Sequence, residues 1–325
     1  MLRRIPPALV LFIIAPVFGE MFSGSSPLNE FVNPVTFITL ALLYGCGAII
    51  ARELVVRWRQ GWFSLLLLGL AYGIHEEGLL VQSFFDPAWM DLGPLATYGR
   101  VAGVNWVWTV HLTIFHALIS IAASVAFVEI LYPDRRAVSW VRHKGWWILN
   151  WLGFSGVYLL WEIATTYDPG VWKVLTVLAI LFLVLLARFI PAPWRPPRHR
   201  AVLRPLGFWL MGFLGLFVQF TLVSQGADHG AYPFPIALLL ITLFDVFMLW
   251  MVLRWSGNGR AWDDRHRLAL INGALSFFLI FGPLTVGRQY PIMYLSNPVF
   301  LGLLWWTARH VNRRVALEQK TATTV

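Results

Sequence analysis

The side chains best suited to chemistry crowd into two neighbouring apolar stretches. The first reads Gly69-Leu-Ala-Tyr-Gly-Ile-His-Glu-Glu-Gly-Leu-Leu-Val-Gln-Ser-Phe-Phe, so His75, Glu76 and Glu77 are three adjacent ionisable groups. The second carries His111 and His116 among Asn105, Thr109, Thr113, Ser120 and Ser124. An ionisable group in such surroundings is costly and is a functional candidate by default. Glutamate and histidine suit zinc or a similar divalent ion. A carboxylate beside a metal-bound water can act as general base. This pattern points to a metal or acid/base site, with Glu76, Glu77 and His116 as catalytic candidates. The metal ligands would come from Glu77, His116, His111 and His75. The plainer alternative is a buried Glu–His pair, or a neutral hydrogen-bonded acid, that only ties two helices together.

Helical geometry narrows the choice. At 100° per residue, Asn105, Thr109, Thr113, His116, Ser120 and Ser124 share one arc, whereas His111 lies on the side of Glu129. Tyr72, Glu76 and Ser83 share a face of the preceding segment, flanked by His75 and Gln82 on one side. Glu77 falls on the other flank above Gly69 and Gly73, small residues that allow close helix approach. Counted at 1.5 Å per residue, Glu76 lies ~14 Å deep, His111 ~10 Å and His116 ~18 Å. The two sets bracket one level in the outer half of a bilayer.

Other polar positions rank lower. Asp245 sits in the middle of an apolar run and could complete the site or serve proton movement. Glu162 is expected at the wet outer end of its segment, and Glu20 likewise. Glu53, with Arg57 four residues on, reads as a helix-surface pair. Gln219 and Asn150 suit helix–helix hydrogen bonding. His143, His199 and His266 lie in basic loops, and His229 lies in an outer one.

The Glu-Glu pair followed by a histidine in the next helix resembles the CAAX-protease and bacteriocin-processing (Abi) family of glutamate-type intramembrane enzymes. That family shows Glu-Glu-x-x-x-Arg, then Phe-x-x-x-His, then His-x-x-x-Asn or a variant. Glu76, Glu77 and His116 match; Val81 stands at the arginine position and Leu112 at the phenylalanine position. Taking His111 as the histidine puts Val107 there instead. No remaining histidine opens a third motif within an apolar segment. The resemblance implies a metal-assisted peptidase-like fold or a derived, non-proteolytic relative.

The elements that must position these residues are membrane helices. Of 325 residues, 58% are hydrophobic and 13% charged, against about 25% charged in soluble domains. Mean hydropathy is +0.66. These values exclude a disordered chain, a collagen-like chain and an ordinary soluble enzyme. Ten spans are expected, near 5–22, 34–56, 62–85, 104–131, 145–166, 170–190, 205–224, 233–253, 268–286 and 292–310. The expected fold is therefore an all-α polytopic integral membrane protein. The first segment is read as a retained helix rather than a cleaved signal, since Pro6-Pro7 is adjacent and no A-x-A site follows.

The charge, net +9, does not indicate nucleic acid, because basic residues gather at segment ends. On the ten-span reading, 22 of the 25 lie on one side and only Arg100, Lys173 and Arg288 on the other. That bias places both termini in the cytoplasm of a bacterial-type plasma membrane. Cys46 is alone, so no internal disulfide forms. Residues 1–325 read as one transmembrane domain, with halves 1–190 and 205–325 joined by the Pro/Arg-rich linker 191–204. The partners expected are the lipid bilayer and a membrane peptide, lipid or small-molecule substrate. A metal-dependent intramembrane hydrolase leads. A proton- or cation-coupled transporter using Glu76, Glu77 and Asp245, or a lipid-modifying enzyme, is the alternative.

Overall fold

The chain is described by a computed structural model that covers residues 5–165, 167–190, 203–257 and 262–323. Most of the linker expected at 191–204 lies outside the described residues.

Long helices dominate: α1 Pro7–Met21, α2 Pro34–Arg57, α3 Trp62–Leu80 and α4 Trp106–Leu131. They continue as α5 Lys144–Ala164, α6 Val171–Phe189, α7 Pro205–Ala227, α8 Phe234–Trp255, α9 Asp264–Thr285 and α10 Met293–Thr323. The β structure among the described residues is a two-residue hairpin pairing Arg100–Val101 with Val104–Asn105. The ten expected segments each coincide with one of these helices, but seven are long and apolar enough to cross a membrane: α2, α3, α4, α6, α7, α8 and α9. Helix α1 is shorter. Helix α5 mixes its apolar residues with Lys144, Asn150, Glu162 and several Trp, and the second half of α10 carries Arg309, Arg313, Arg314, Glu318 and Lys320. Helices α6 and α8 bury only 11% of their apolar windows inside the protein. Leu178, Phe182, Leu239 and Leu243 face outward, more than half exposed. Apolar surface on that scale calls for lipid around it.

Two apolar cores support the bundle. One joins α1, α4, α7, α9 and α10 through Phe18, Phe115, Phe127, Phe277 and Phe278. The other joins α1 to α5 through Leu11, Tyr44, Leu65, Tyr72 and Ile121. The candidate chemistry lies between them. Helices α3 and α4 approach closely there because α3 offers glycines. A Cβ on Gly69 would stand 2.8 Å from the Ala117 Cα, and one on Gly73 3.0 Å from the His116 Cβ.

Helix α3 stops before the expected end at 85. Gln82 adopts φ 59°, outside the right-handed helical region, and the chain turns into a loop. That loop packs against the bundle, the Tyr98 hydroxyl donating to the Tyr232 carbonyl at 2.9 Å. Arg100 fastens it, donating to the carbonyls of Phe85 (2.6 Å) and Ala96 (2.9 Å). Asn105 then caps α4, its side chain accepting from the Trp108 amide at 3.0 Å.

Four of these helices contain π turns: Val17–Met21 in α1, Ala41–Gly45 in α2, His75–Leu80 in α3 and His116–Ala123 in α4. Bonds from the Phe22 amide to the Val17 carbonyl and from the Val81 amide to the Glu76 carbonyl, both 2.9 Å, carry the i→i+5 pattern. Such turns are rare and gather at functional sites.

Candidate functional site

Each of the four π turns delivers a polar residue to the same interior point: Glu20 from α1, Tyr44 from α2, Glu76 and Glu77 from α3, His116 and Ser120 from α4. An ordinary helix sets adjacent residues about 100° apart. The looser π winding narrows that angle, so Glu76 and Glu77 both reach His116.

His116 is the hub. Its Nε2 lies 3.0 Å from Glu77 Oε1, and its Nδ1 lies 3.0 Å from the Ser120 hydroxyl and 3.2 Å from Glu76 Oε2. The Nδ1 direction favours Ser120, and Glu76 Oε2 is left buried without a hydrogen bond. The other Glu76 oxygen is in hydrogen-bonding contact with the Tyr44 hydroxyl, which also contacts Glu20. One phenolic proton cannot be donated to two carboxylates, so the second contact needs a proton held by a carboxyl. Ser83 donates to Glu77 Oε2, and the Trp108 indole N–H donates to the Ser83 hydroxyl at 3.0 Å. Ser26, in the outer loop, donates to Glu20 at 3.1 Å.

Glu76, Glu77 and His116 are 4%, 8% and 3% exposed, so burial leaves no water shell to stabilise their charges. Their ligand atoms all lie within 4.8 Å of one another. Donors about 2.0–2.2 Å from one ion stand at most about 4.4 Å apart, so the three atoms would need only to close in slightly on it.

The remaining expected ligands point elsewhere. The ring of His75 stacks against Phe154 on α5, centroids 4.6 Å apart. His111 is buried edge-on to Phe220 of α7 at 4.7 Å. Each is one step or a part-turn off the facing arc, so neither ring nitrogen joins the group. Asp245 lies on α8, half-buried, with one shielded and unpartnered oxygen. Glu162 pairs with Lys173, both about one-third exposed at the outer ends of α5 and α6.

Two expectations are corrected. Glu20 is not simply solvated: the π turn that ends α1 carries it inward to Tyr44. Glu53 is not a surface residue. It is fully buried, accepting from Arg52 at 2.7 Å, from the Trp140 amide at 2.8 Å and from Ser139, while Arg57 stands 3.8 Å away. Sequence reasoning missed Tyr44 and Arg52. Tyr44 is the one phenol of an otherwise apolar run, which was the available signal.

A family model described as an uncharacterized membrane protein family matches residues 9–260. Comparison with the curated proteins and with solved structures finds no match.

Proposed function

Because the chain belongs to this uncharacterized membrane protein family, we propose its activity from the chemistry of the site. It is a multi-pass membrane enzyme that hydrolyses a bond in a membrane-embedded peptide or lipid, using a divalent metal ion held by Glu76, Glu77 and His116. One observation carries this reading: the ligand atoms of three buried side chains lie within 4.8 Å of one another. The donor set fits such an ion. Two carboxylates match its charge, imidazole and carboxylate are donors that zinc accepts, and Glu76 Oε2 is a buried oxygen awaiting a partner.

A bound ion of this kind would supply a water acidified to a pKa of about 7. The chain's own residues do the rest. Ser83 occupies one oxygen of Glu77 and leaves Oε1 as the ligand atom. Ser120 holds His116 Nδ1 and leaves Nε2. Partners of this kind fix the orientation of a metal ligand. Tyr44 contacts one oxygen of Glu76 and leaves Oε2 as the ligand atom. The loop after α3 covers the site and keeps bulk water from it. The match of Glu76, Glu77 and His116 to the CAAX-protease and bacteriocin-processing pattern supports the reading. In place of that family's third histidine helix, Glu20 and Tyr44 stand beside the group. The arginine bias supports ten spans with both termini in the cytoplasm of a plasma membrane.

A second reading rests on a different observation. Glu20, Tyr44, Glu76, His116, Glu77 and Ser83 form one unbroken series of polar contacts through the outer half of the bundle. Such a series suits a proton- or cation-coupled transporter.

Metal content decides between them. In the protein purified in mild detergent and loaded with zinc, we expect about one ion per chain, as in a mononuclear site, and its loss in both Glu76→Gln and His116→Ala. Peptide and lipid hydrolysis should be lost with it. No stoichiometric metal in any of the three proteins, with a pH-dependent flux abolished by Glu76→Gln, overturns the hydrolase in favour of the transporter.

A further inference from the structure

A second charged cluster lies at the arginine-rich end of the bundle, apart from the Glu76–Glu77–His116 group. Its centre is Asp264, the first residue of α9. Three guanidinium groups from three elements converge on it. Arg136, just after α4, is 2.8 Å from Oδ1; Arg314 of α10 is 2.6 Å from Oδ2; Arg267 of α9 is 3.9 Å from Oδ1. Neighbouring acids are already engaged. Glu129 faces Arg52 at 3.4 Å, and Asp263 holds Arg265 and His266. Glu318 stands 3.5 Å from Arg314 Nε but is 60% exposed at the rim. Asp264 is therefore the one carboxylate within 4 Å of all three cations; Glu129 and Asp263 attract Arg267 from farther off, and Arg136 repels it.

The donors are left over as well. The Nε atoms of Arg136, Arg267 and Arg314 are shielded and make no hydrogen bond. So is the indole nitrogen of Trp262, whose ring lies 5.7 Å from the Arg267 guanidinium. Buried polar groups are normally satisfied, and an unpaired donor on a charged group is costly. A latch that only fastened helices together would balance its charges. The arginine side chains are 18–32% exposed, so the cluster is open on one side. The adjoining N-terminus of the 22-residue helix α9 is already capped by the Asp263 side chain, so the guanidinium groups would supply the contacts to an anion. Basic pockets at the charged ends of membrane helices suit phosphate-bearing lipid headgroups.

We propose that Arg136, Arg267 and Arg314 form a binding site for the phosphate of a net-anionic phospholipid of the leaflet on that side, in preference to a zwitterionic one whose ammonium offsets the phosphate charge. The phosphate supplies the acceptors that Asp264 alone cannot. It stabilises the joint between the turn after α4 and helices α9 and α10.

Thermal unfolding of the full chain in nanodiscs tests this. Phosphatidylglycerol in place of phosphatidylcholine should raise the midpoint. Arg267→Gln, which removes the longest of the three contacts, should lose more than half of the phosphatidylglycerol shift, measured from its own midpoint in phosphatidylcholine. Asp264→Asn should unfold earlier in phosphatidylcholine yet show a larger phosphatidylglycerol shift, since phosphate then replaces the lost carboxylate. If inorganic phosphate in detergent reproduces the shift, the ligand is free phosphate; if only the lipid does, it is the headgroup. Equal midpoints for the parent in both lipids, with no effect of inorganic phosphate, overturn the site. So does a phosphatidylglycerol shift unchanged in Arg267→Gln, whether or not Asp264→Asn folds.

Discussion

His116 has three oxygens within 3.2 Å of its two ring nitrogens, from Glu77, Ser120 and Glu76. No other described histidine joins a group of potential metal ligands. The contrast with His111, five residues earlier, is angular: both are buried, but one ring meets carboxylates and the other meets Phe220. Tyr44 extends the cluster to Glu20. Tyr44→Phe keeps the ring packing and removes the hydroxyl, leaving two carboxyls short of a partner. Such a loss costs about 1–3 kcal/mol. We therefore expect a lower unfolding midpoint and weaker zinc retention, read by calorimetry and metal analysis. An unchanged midpoint would show that the two carboxyls do not rely on the phenol.

At the scale of elements, the site depends on how closely α3 and α4 approach and on the π turns that aim their side chains. Gly73 tests this approach beside the histidine, because a Cβ there would stand 3.0 Å from the His116 Cβ and 3.1 Å from the Thr113 Cα. Gly73→Leu must push the helices apart, and overpacking of this kind costs about 1–3 kcal/mol. The expected result is lower stability together with loss of bound metal. Gly156→Leu on α5, where an added Cβ meets nothing within 4 Å, is the comparison and should keep both. Metal retained at the parent level in Gly73→Leu would mean that this approach does not set the ligand geometry.

Across the whole molecule, charge is divided between two depths. The carboxylate–histidine group lies toward one end of the bundle, and a layer of arginines and acids lies at the other. In that layer Glu53 ties α2 to the segment after α4 through Arg52, Ser139 and Trp140. Removing one partner of a fully buried pair costs about 3–5 kcal/mol, because the other charge is stranded. Glu53→Gln should therefore destabilise the fold strongly. Glu162→Gln, in a pair one-third exposed, should cost under about 1 kcal/mol. Comparing the two midpoints checks the assignment, and a mild Glu53→Gln would contradict it.

Much of this was legible in the residues themselves. Apolar runs and sparse charge specify a helical membrane protein, since a backbone in lipid must satisfy its own hydrogen bonds. Glu76, Glu77 and His116 stand out because ionisable groups in such runs are expensive. Gly69 and Gly73 mark the close contact of α3 with α4. The inward turn of Glu20 and the choice of His116 over His75 and His111 were decided only in three dimensions. So was the burial of Arg52 and Glu53. The physical reason is that a π turn changes the angular register of a helix without a local sequence mark, and hydrogen-bond partners such as Glu53 and the Trp140 amide lie 87 residues apart in the chain. Spacing along the chain assigns a face on one ideal helix; which faces meet is set by the packing of several.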